Sequence, residues 1–266
     1  MMDGAVGTLV SELRRSRKYR DTCDGVLDRT AEWALERHKS PKDALKAAKR
    51  KLHQVHGLFF DSVDFARIER GLDCMPGPDS EAMREFCGSV LDSHISTRER
   101  QAHLADFYRE VFARTGYPAS LLDLGCGLNP FALPWMNLPS GTSYRAIDAN
   151  LRLASALNRF FEAAGFPALA TAADILANVP KDPVEVALCL KLLPALEQQE
   201  SGFGQRLVSE LDARFIVVSF PTRSVGGRNV GMDRHYAHYM GNLLEPSRLH
   251  SEPFTIGNEL VYILAK

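Results

Sequence analysis

The chain has 266 residues, with 32 Lys and Arg against 33 Asp and Glu, and is 45% hydrophobic and 24% charged. That is ordinary composition for a folded protein, and the length suffices for one large domain, or a large and a small one, whose core needs neither disulfide nor metal. No run approaches the ~18 consecutive apolar residues of a membrane helix, and five cysteines (Cys23, Cys74, Cys87, Cys126, Cys189) with no CxxC pair support neither a disulfide framework nor a zinc ribbon. The first twenty residues carry no apolar stretch behind a basic end, so no secretory signal is expected and the cytoplasm fits best. Taken alone, the formal net charge of −1 argues against a nucleic-acid partner.

From Val6 to about Arg114 the apolar spacing is helical: Leu9 and Leu13, then Val26, Leu27, Trp33 and Leu35 recur at three- to four-residue intervals between charges. Ser40-Pro41 predicts a helix start, with Ser40 as the cap and Pro41 in the first turn, where its missing N–H costs nothing. Met75-Pro76-Gly77-Pro78 breaks the pattern, and Asp79 or Ser80 can cap the next helix. Ser96-Thr97-Arg98-Glu99 reads as a capping box opening one helix with Leu104, Phe107, Val111 and Phe112 on its apolar face. After Tyr117-Pro118 the period changes. SLLDLG (120–125), SYRAID (143–148), ALATAAD (168–174), VEVALCL (184–190) and RFIVVSF (214–220) are short apolar strands separated by helical segments. That alternation predicts a doubly wound α/β fold on a parallel sheet buried on both faces. The last fourteen residues predict an antiparallel hairpin turning at Gly257-Asn258 on the sheet's edge. Residues 1–95 are expected to form an all-helical domain and residues 96–266 the α/β domain.

Mapped along the chain, the charge reverses the first inference. Residues 11–56 hold 13 Lys and Arg against 7 Asp and Glu, a net of +6, which leaves −7 for the remainder. Basic helices are often merely solvated faces. The clusters SRKYR (16–20) and ERHKSPKDALKAAKRK (36–51) are denser than solubility requires, and phosphate binding by Arg17, Lys18, Arg20, Lys39, Lys42, Lys49, Arg50 and Lys51 is the sharper reading.

The first strand runs straight into Gly125-Cys126-Gly127. In open α/β sheets ligands bind beyond the carboxyl ends of the strands, and glycines there let the backbone approach the ligand. Leu128-Asn129-Pro130 follows, so the third glycine of a dinucleotide fingerprint is missing and a nicotinamide cofactor is disfavoured. The pattern Asp123-x-Gly125-x-Gly127 resembles motif I of class I S-adenosyl-L-methionine (SAM)-dependent methyltransferases, a Rossmann-like fold. That resemblance turns the loop toward the methionine end of the cofactor, gives Asp148 the ribose hydroxyls and places Asp174, with Ile175 beside it, at the adenine. Strand-end Asp is common as a plain helix cap, but three in succession behind the glycine loop form a constellation.

A narrower resemblance covers nearly the whole chain. HKSPK (38–42), HISTRER (94–100), DLGCGLNP (123–130), LKLLPALE (190–197), SFPTRSVGGR (219–228) and TIGNELVYIL (255–264) resemble the aminoglycoside-resistance 16S rRNA methyltransferases, which act at guanine N7 in the decoding region. The resemblance implies a helical domain docking on the 30S ribosomal subunit, SAM converted to S-adenosyl-L-homocysteine, and a monomer. It implies that Arg100 meets the cofactor carboxylate, while Lys191 and Arg223 or Arg228 face the target nucleotide or its phosphates. Guanine N7 carries an unprotonated lone pair, so the chemistry asks for orientation rather than a general base. Methylation of another RNA position, such as adenine N1, and a non-catalytic SAM- or RNA-binding module are the alternatives. A metal at His235 and His238 is not expected, for want of a third ligand. Tyr236 and Tyr239 are read as packing residues before base stackers, Trp33 and Trp135 as core, and loop 221–232 as an RNA clamp.

Overall fold

A computed structural model describes residues 2–53, 63–75, 77–78, 80–222, 232–245, 249, 251 and 253–266. Among the described residues seven helices come first: α1 (Met2–Arg14), α2 (Asp24–Arg37), α3 (Pro41–Leu52), α4 (Phe65–Asp73), α5 (Glu81–Asp92), α6 (Ile95–Gln101) and α7 (Leu104–Thr115). Ser40 caps α3 by accepting the Asp43 N–H, and Ser80 caps α5 by accepting that of Met83. The expected capping box at Ser96 is not formed. His94 is the cap instead, its Nδ1 accepting the Ser96 N–H, and Glu99 turns away toward Lys191. The single helix expected there is two, because His103 (φ −126°, ψ 17°) leaves the helical region between α6 and α7.

Every expected strand forms: β1 (Ser120–Leu124), β2 (Ser143–Asp148), β3 (Ala168–Ala172), β4 (Val184–Leu190) and β5 (Ala213–Pro221), then β6 (Phe254–Ile256) and β7 (Glu259–Ala265). Between them lie α8 (Leu133–Met136), α9 (Leu151–Ala163), α10 (Leu193–Glu197), α11 (Phe203–Glu210) and α12 (Met232–Leu244). The sheet order is β3-β2-β1-β4-β5-β7-β6, with β1 to β5 parallel and the β6–β7 hairpin antiparallel at the edge. Its turn is Gly257-Asn258, with Gly257 at φ 54°.

Alternate residues of each central strand feed opposite cores, which is why the strands read as unbroken apolar runs. Leu121, Val186 and Leu188 pack with α4, α5, α7 and α9, whereas Leu122, Ala187 and Cys189 pack with α10 to α12. Apolar contact is therefore continuous across residue 95. Helices α1 to α3 build a third core around Leu13, Leu27, Ala31 and Leu52, which meets the sheet at Ala172 of β3 and at Ala149 just past the end of β2. Trp33 and Trp135, expected in the core, are half-buried; the Lys51 ammonium sits 4.2 Å over the Trp33 ring. Tyr236 stacks on Phe220 with ring centres 4.4 Å apart, and Tyr239 meets the same ring edge-on, so both pack within the protein.

Candidate active site

The carboxyl ends of the parallel strands open into a cavity walled also by α2 and the start of α6. All eight residues expected at the cofactor line it: Arg100, Asp123, Gly125, Cys126, Gly127, Asp148, Asp174 and Ile175. Lys191 joins them.

The loop after β1 is shaped by its glycines. Gly125 and Gly127 hold φ of 57° and 49°, where a Cβ is penalised, and a Cβ on Gly125 would also collide with the Leu192 side chain. Asp148 pins the loop by accepting the Gly127 N–H at Oδ2 and the Asn150 N–H at Oδ1, both at 3.0 Å. Burial pushes the Asp148 carboxyl up, against the pull of those backbone bonds. The chain then makes a 3₁₀ turn over Asn129–Ala132 and the four-residue α8, so no long helix begins where a pyrophosphate would sit. Cys126 is buried, and burial holds its thiol well above its usual range, as it does for Cys189 in β4; neither supplies a thiolate.

Beside the loop lies a buried polar chain that begins on the edge hairpin. Arg100 donates Nε and Nη2 to Glu259 at 3.0 and 2.6 Å and Nη1 to Asn129 Oδ1 at 2.8 Å, over the Phe107 ring. Asn129 also accepts from Tyr108 and donates to Asp123 Oδ2, which accepts from Tyr144 as well. Asp123 Oδ1 is buried with no hydrogen-bond partner among the described residues. Burial outweighs the Asn129 and Tyr144 bonds and pushes the Asp123 carboxyl up to about 7. Glu259 goes the other way: burial opposes its charge, but Arg100 and Lys191 overcome that and lower its pKa.

Lys191 follows β4 with φ 55°, rare for a residue with a side chain. Such a conformation costs about 1–3 kcal/mol and is found where function fixes the chain. Its N–H donates to the Ser219 carbonyl at 3.0 Å, and its ammonium donates to the Ser96 carbonyl and to Glu99, each at 3.0 Å. Glu259 stands 3.7 Å from the same ammonium.

A family model described as ribosomal RNA methyltransferase (FmrO) matches residues 15–263. The chain belongs to the ribosomal RNA methyltransferase (FmrO) family. It is 35% identical to the 16S rRNA (guanine(1405)-N(7))-methyltransferase of Micromonospora echinospora over 96% of this chain and 94% of that one. To the enzyme of that name from Serratia marcescens it is 32% identical over 98% of each. The crystal structure of the 16S rRNA methyltransferase RmtF in complex with S-adenosyl-L-homocysteine superimposes with a TM-score of 0.83, at 34% identity and 98% coverage of both chains.

In this rRNA methyltransferase the remaining expected residues fall in two places. Arg17, Lys18 and Arg20 lie exposed on the turn after α1, and at the end of α3 Arg50 is exposed between the half-buried Lys49 and Lys51. The Tyr19 hydroxyl joins the two by donating to the Lys49 carbonyl at 3.0 Å, while Lys39 and Lys42 mark the other end of α3. Arg223, Arg228 and most of loop 221–232 lie outside the described residues. Among the described residues, no helix is long and apolar enough to cross a membrane and no three His, Cys, Asp or Glu group to hold a metal. Sequence reasoning missed Glu259, Asn129 and Arg29, which also line or support the cavity. Glu259 had a signal: an acid beginning an otherwise apolar strand.

Proposed function

We propose that this chain methylates N7 of a decoding-region guanine of 16S rRNA in the assembled 30S subunit, using S-adenosyl-L-methionine and conferring aminoglycoside resistance. The observation that carries the cofactor assignment is Asp123 Oδ1. A buried carboxylate oxygen left without a partner beside the glycine loop asks for a cationic ligand, and SAM has one at its amino-acid end. The choice of guanine N7 rests on likeness along nearly the full chain to proteins named for that reaction.

The donor set fits the rest of the cofactor. Arg100 spends three of its N–H groups on Glu259 and Asn129, leaving two for the cofactor carboxylate. Gly125, Cys126 and Gly127 supply a backbone surface, Asp148 takes the ribose hydroxyls, and Asp174 and Ile175 take the adenine. When bound, SAM supplies an electrophilic methyl and leaves as S-adenosyl-L-homocysteine. The chain's own task is orientation: guanine N7 needs no general base, only to be held in line at near-attack distance. The base is extruded from RNA structure to reach the cavity. Lys191, Arg223 and Arg228 hold it there; Lys191 keeps one of its three N–H donors for this, the other two being spent on Ser96 and Glu99. A methyl on N7 removes an acceptor and adds a fixed positive charge, which opposes a polycationic drug at that site.

Docking falls to the helical residues 1–95, through the joined basic clusters of α1 to α3, with residues 96–266 holding the cofactor and the chain working as a monomer. The test incubates labelled SAM with intact 30S subunits, naked rRNA and a panel of small molecules, then maps 7-methylguanine by borohydride–aniline cleavage. Label at a decoding-region guanine, with intact subunits only, is expected. Label at an adenine, or in a small molecule, overturns the assignment.

A further inference from the structure

Helix α2 belongs to the basic arm, yet it carries Arg29 into the wall of the cofactor cavity. Arg29 Nε donates to Asp174 Oδ2 at 2.6 Å and Nη2 to Oδ1 at 3.2 Å, a two-point ion pair whose acid is 5% exposed. Nη2 also reaches Gln199 Oε1 at 3.3 Å, and Asp174 Oδ1 accepts the Leu176 N–H at 3.0 Å. The plane of the Asp174 carboxylate is thus set by three donors, two of them from the arm. The chain just before Arg29 is fastened to the same cavity. Cys23 N–H donates to the Ala149 carbonyl at 2.8 Å, the Leu151 N–H donates to the Asp21 carbonyl at 2.7 Å, and Thr22 bridges Asn150. Gly25 lies so close that a Cβ on it would come within 3.2 Å of the Asp174 Cβ. Segment 21–29 therefore grips the chain beside Asp148 by its backbone and Asp174 by a side chain.

We propose that Arg29 is a positioning residue for the cofactor: it sets Asp174 as the acceptor for the exocyclic amine of adenine, and so makes the docking arm one wall of the cofactor site. The inference rests on reading the cavity as the cofactor site. A carboxylate so fixed rewards a 6-amino group and repels a 6-oxo group, because it can accept but not donate. Fixing by a planar two-point guanidinium is also something a lysine reproduces only in part.

The experiment titrates S-adenosyl-L-homocysteine and S-inosyl-L-homocysteine into the full chain by calorimetry, for the wild type, Arg29→Ala, Arg29→Lys, Asp174→Asn and the Arg29→Ala/Asp174→Asn pair. The wild type is expected to prefer the adenosyl ligand by ~10- to 150-fold, the worth of a hydrogen bond to a charged group. Arg29→Ala and Asp174→Asn should each bring that preference to within about threefold, the pair should lose no more than either alone, and Arg29→Lys should recover part of it. A preference unchanged in Arg29→Ala, or a loss equal for both ligands, makes Arg29 a structural wall and overturns the proposal. Should Arg29→Ala not fold, an Asp174→Asn chain that keeps the wild-type preference overturns it equally. A wild type that binds neither ligand removes the cofactor reading itself, a different failure, and the proposal with it.

Discussion

The cavity and the basic arm both depend on charge, and they handle it in opposite ways. Around the cavity, Arg100, Glu259, Asp123 and Asp148 are at most 8% exposed, and each is committed to named partners at fixed distances. On the arm, Arg17, Lys18, Arg20 and Arg50 lie in water, where the 3.8 Å contact of Arg20 with Asp21 is a weak tie. Buried charge is expensive, so it is worth having only where its geometry is fixed, as for a small ligand. Exposed charge acts over roughly a Debye length of ~8 Å and tolerates loose geometry, which suits a folded RNA surface met by diffusion.

Breaking the buried side should have the largest effect. Glu259→Ala leaves Arg100 and Lys191 without their shared acid, and a loss of about 3–5 kcal/mol in urea unfolding is expected. If unfolding moves by less than about 1 kcal/mol, the network relaxes freely and the contrast with the arm fails. Asp148→Ala should come next: without its grip on Gly127 and on the ribose, affinity for S-adenosyl-L-homocysteine should fall ~10- to 150-fold by calorimetry. Affinity for 30S subunits, read in parallel, should move less than about threefold, since the arm is untouched.

The two regions also differed in how far the sequence alone exposed them. The cavity's strand-end acids and glycine loop are local features, each sitting at a turn whose chemistry needs that residue type, so all eight expected positions line one cavity. Arg29 is not local. On α2 it sits in a run of charges that looks solvated, and its partner lies 145 residues away. Ser96-Thr97-Arg98-Glu99 misled for a related reason: the motif is correct as a local cap, but Lys191 claims Glu99 and His94 takes the Ser96 N–H. Tertiary ion pairs override local propensity where a buried charge needs a partner. Whole-chain charge misled by averaging, since −1 hides +6 on the arm.

The arm is tested by Arg17→Gln/Lys18→Gln/Arg20→Gln. If these three meet phosphates, the slope of log affinity for 30S subunits against log salt should fall by about 2 to 3, and binding should weaken on the order of 10- to 100-fold at physiological salt. S-adenosyl-L-homocysteine affinity should stay put. A slope that does not change returns these residues to a solvated face, and leaves docking to Lys49, Arg50, Lys51 and the loop after β5.

The smallest expected effect separates the two regions by pH. Asp123 in the free chain titrates at about 7 because it is buried. Its raised pKa means that the protonated form favours the fold: that contribution is complete below the ordinary carboxylate range and is lost as pH rises through 7. Binding works in the reverse sense. A cationic cofactor end at Oδ1 favours the carboxylate, so the complex must release the proton below pH 7. Affinity for S-adenosyl-L-homocysteine should therefore climb about tenfold from pH 6 to 8 and level off above, with proton release visible in buffers of different ionisation enthalpy. Asn129, Tyr144, Arg100 and Asp148 face the same carboxylate, and only the last can itself take up a proton in place of Asp123. Asp123→Asn is the control that assigns the slope, and it should flatten the profile. Docking on 30S subunits without cofactor does not draw on Asp123, so Asp123→Asn should leave its pH profile as it is in the wild type. A level profile for the small ligand in the wild type would mean that Oδ1 meets no cation, and the buried side of the comparison would lose its ligand.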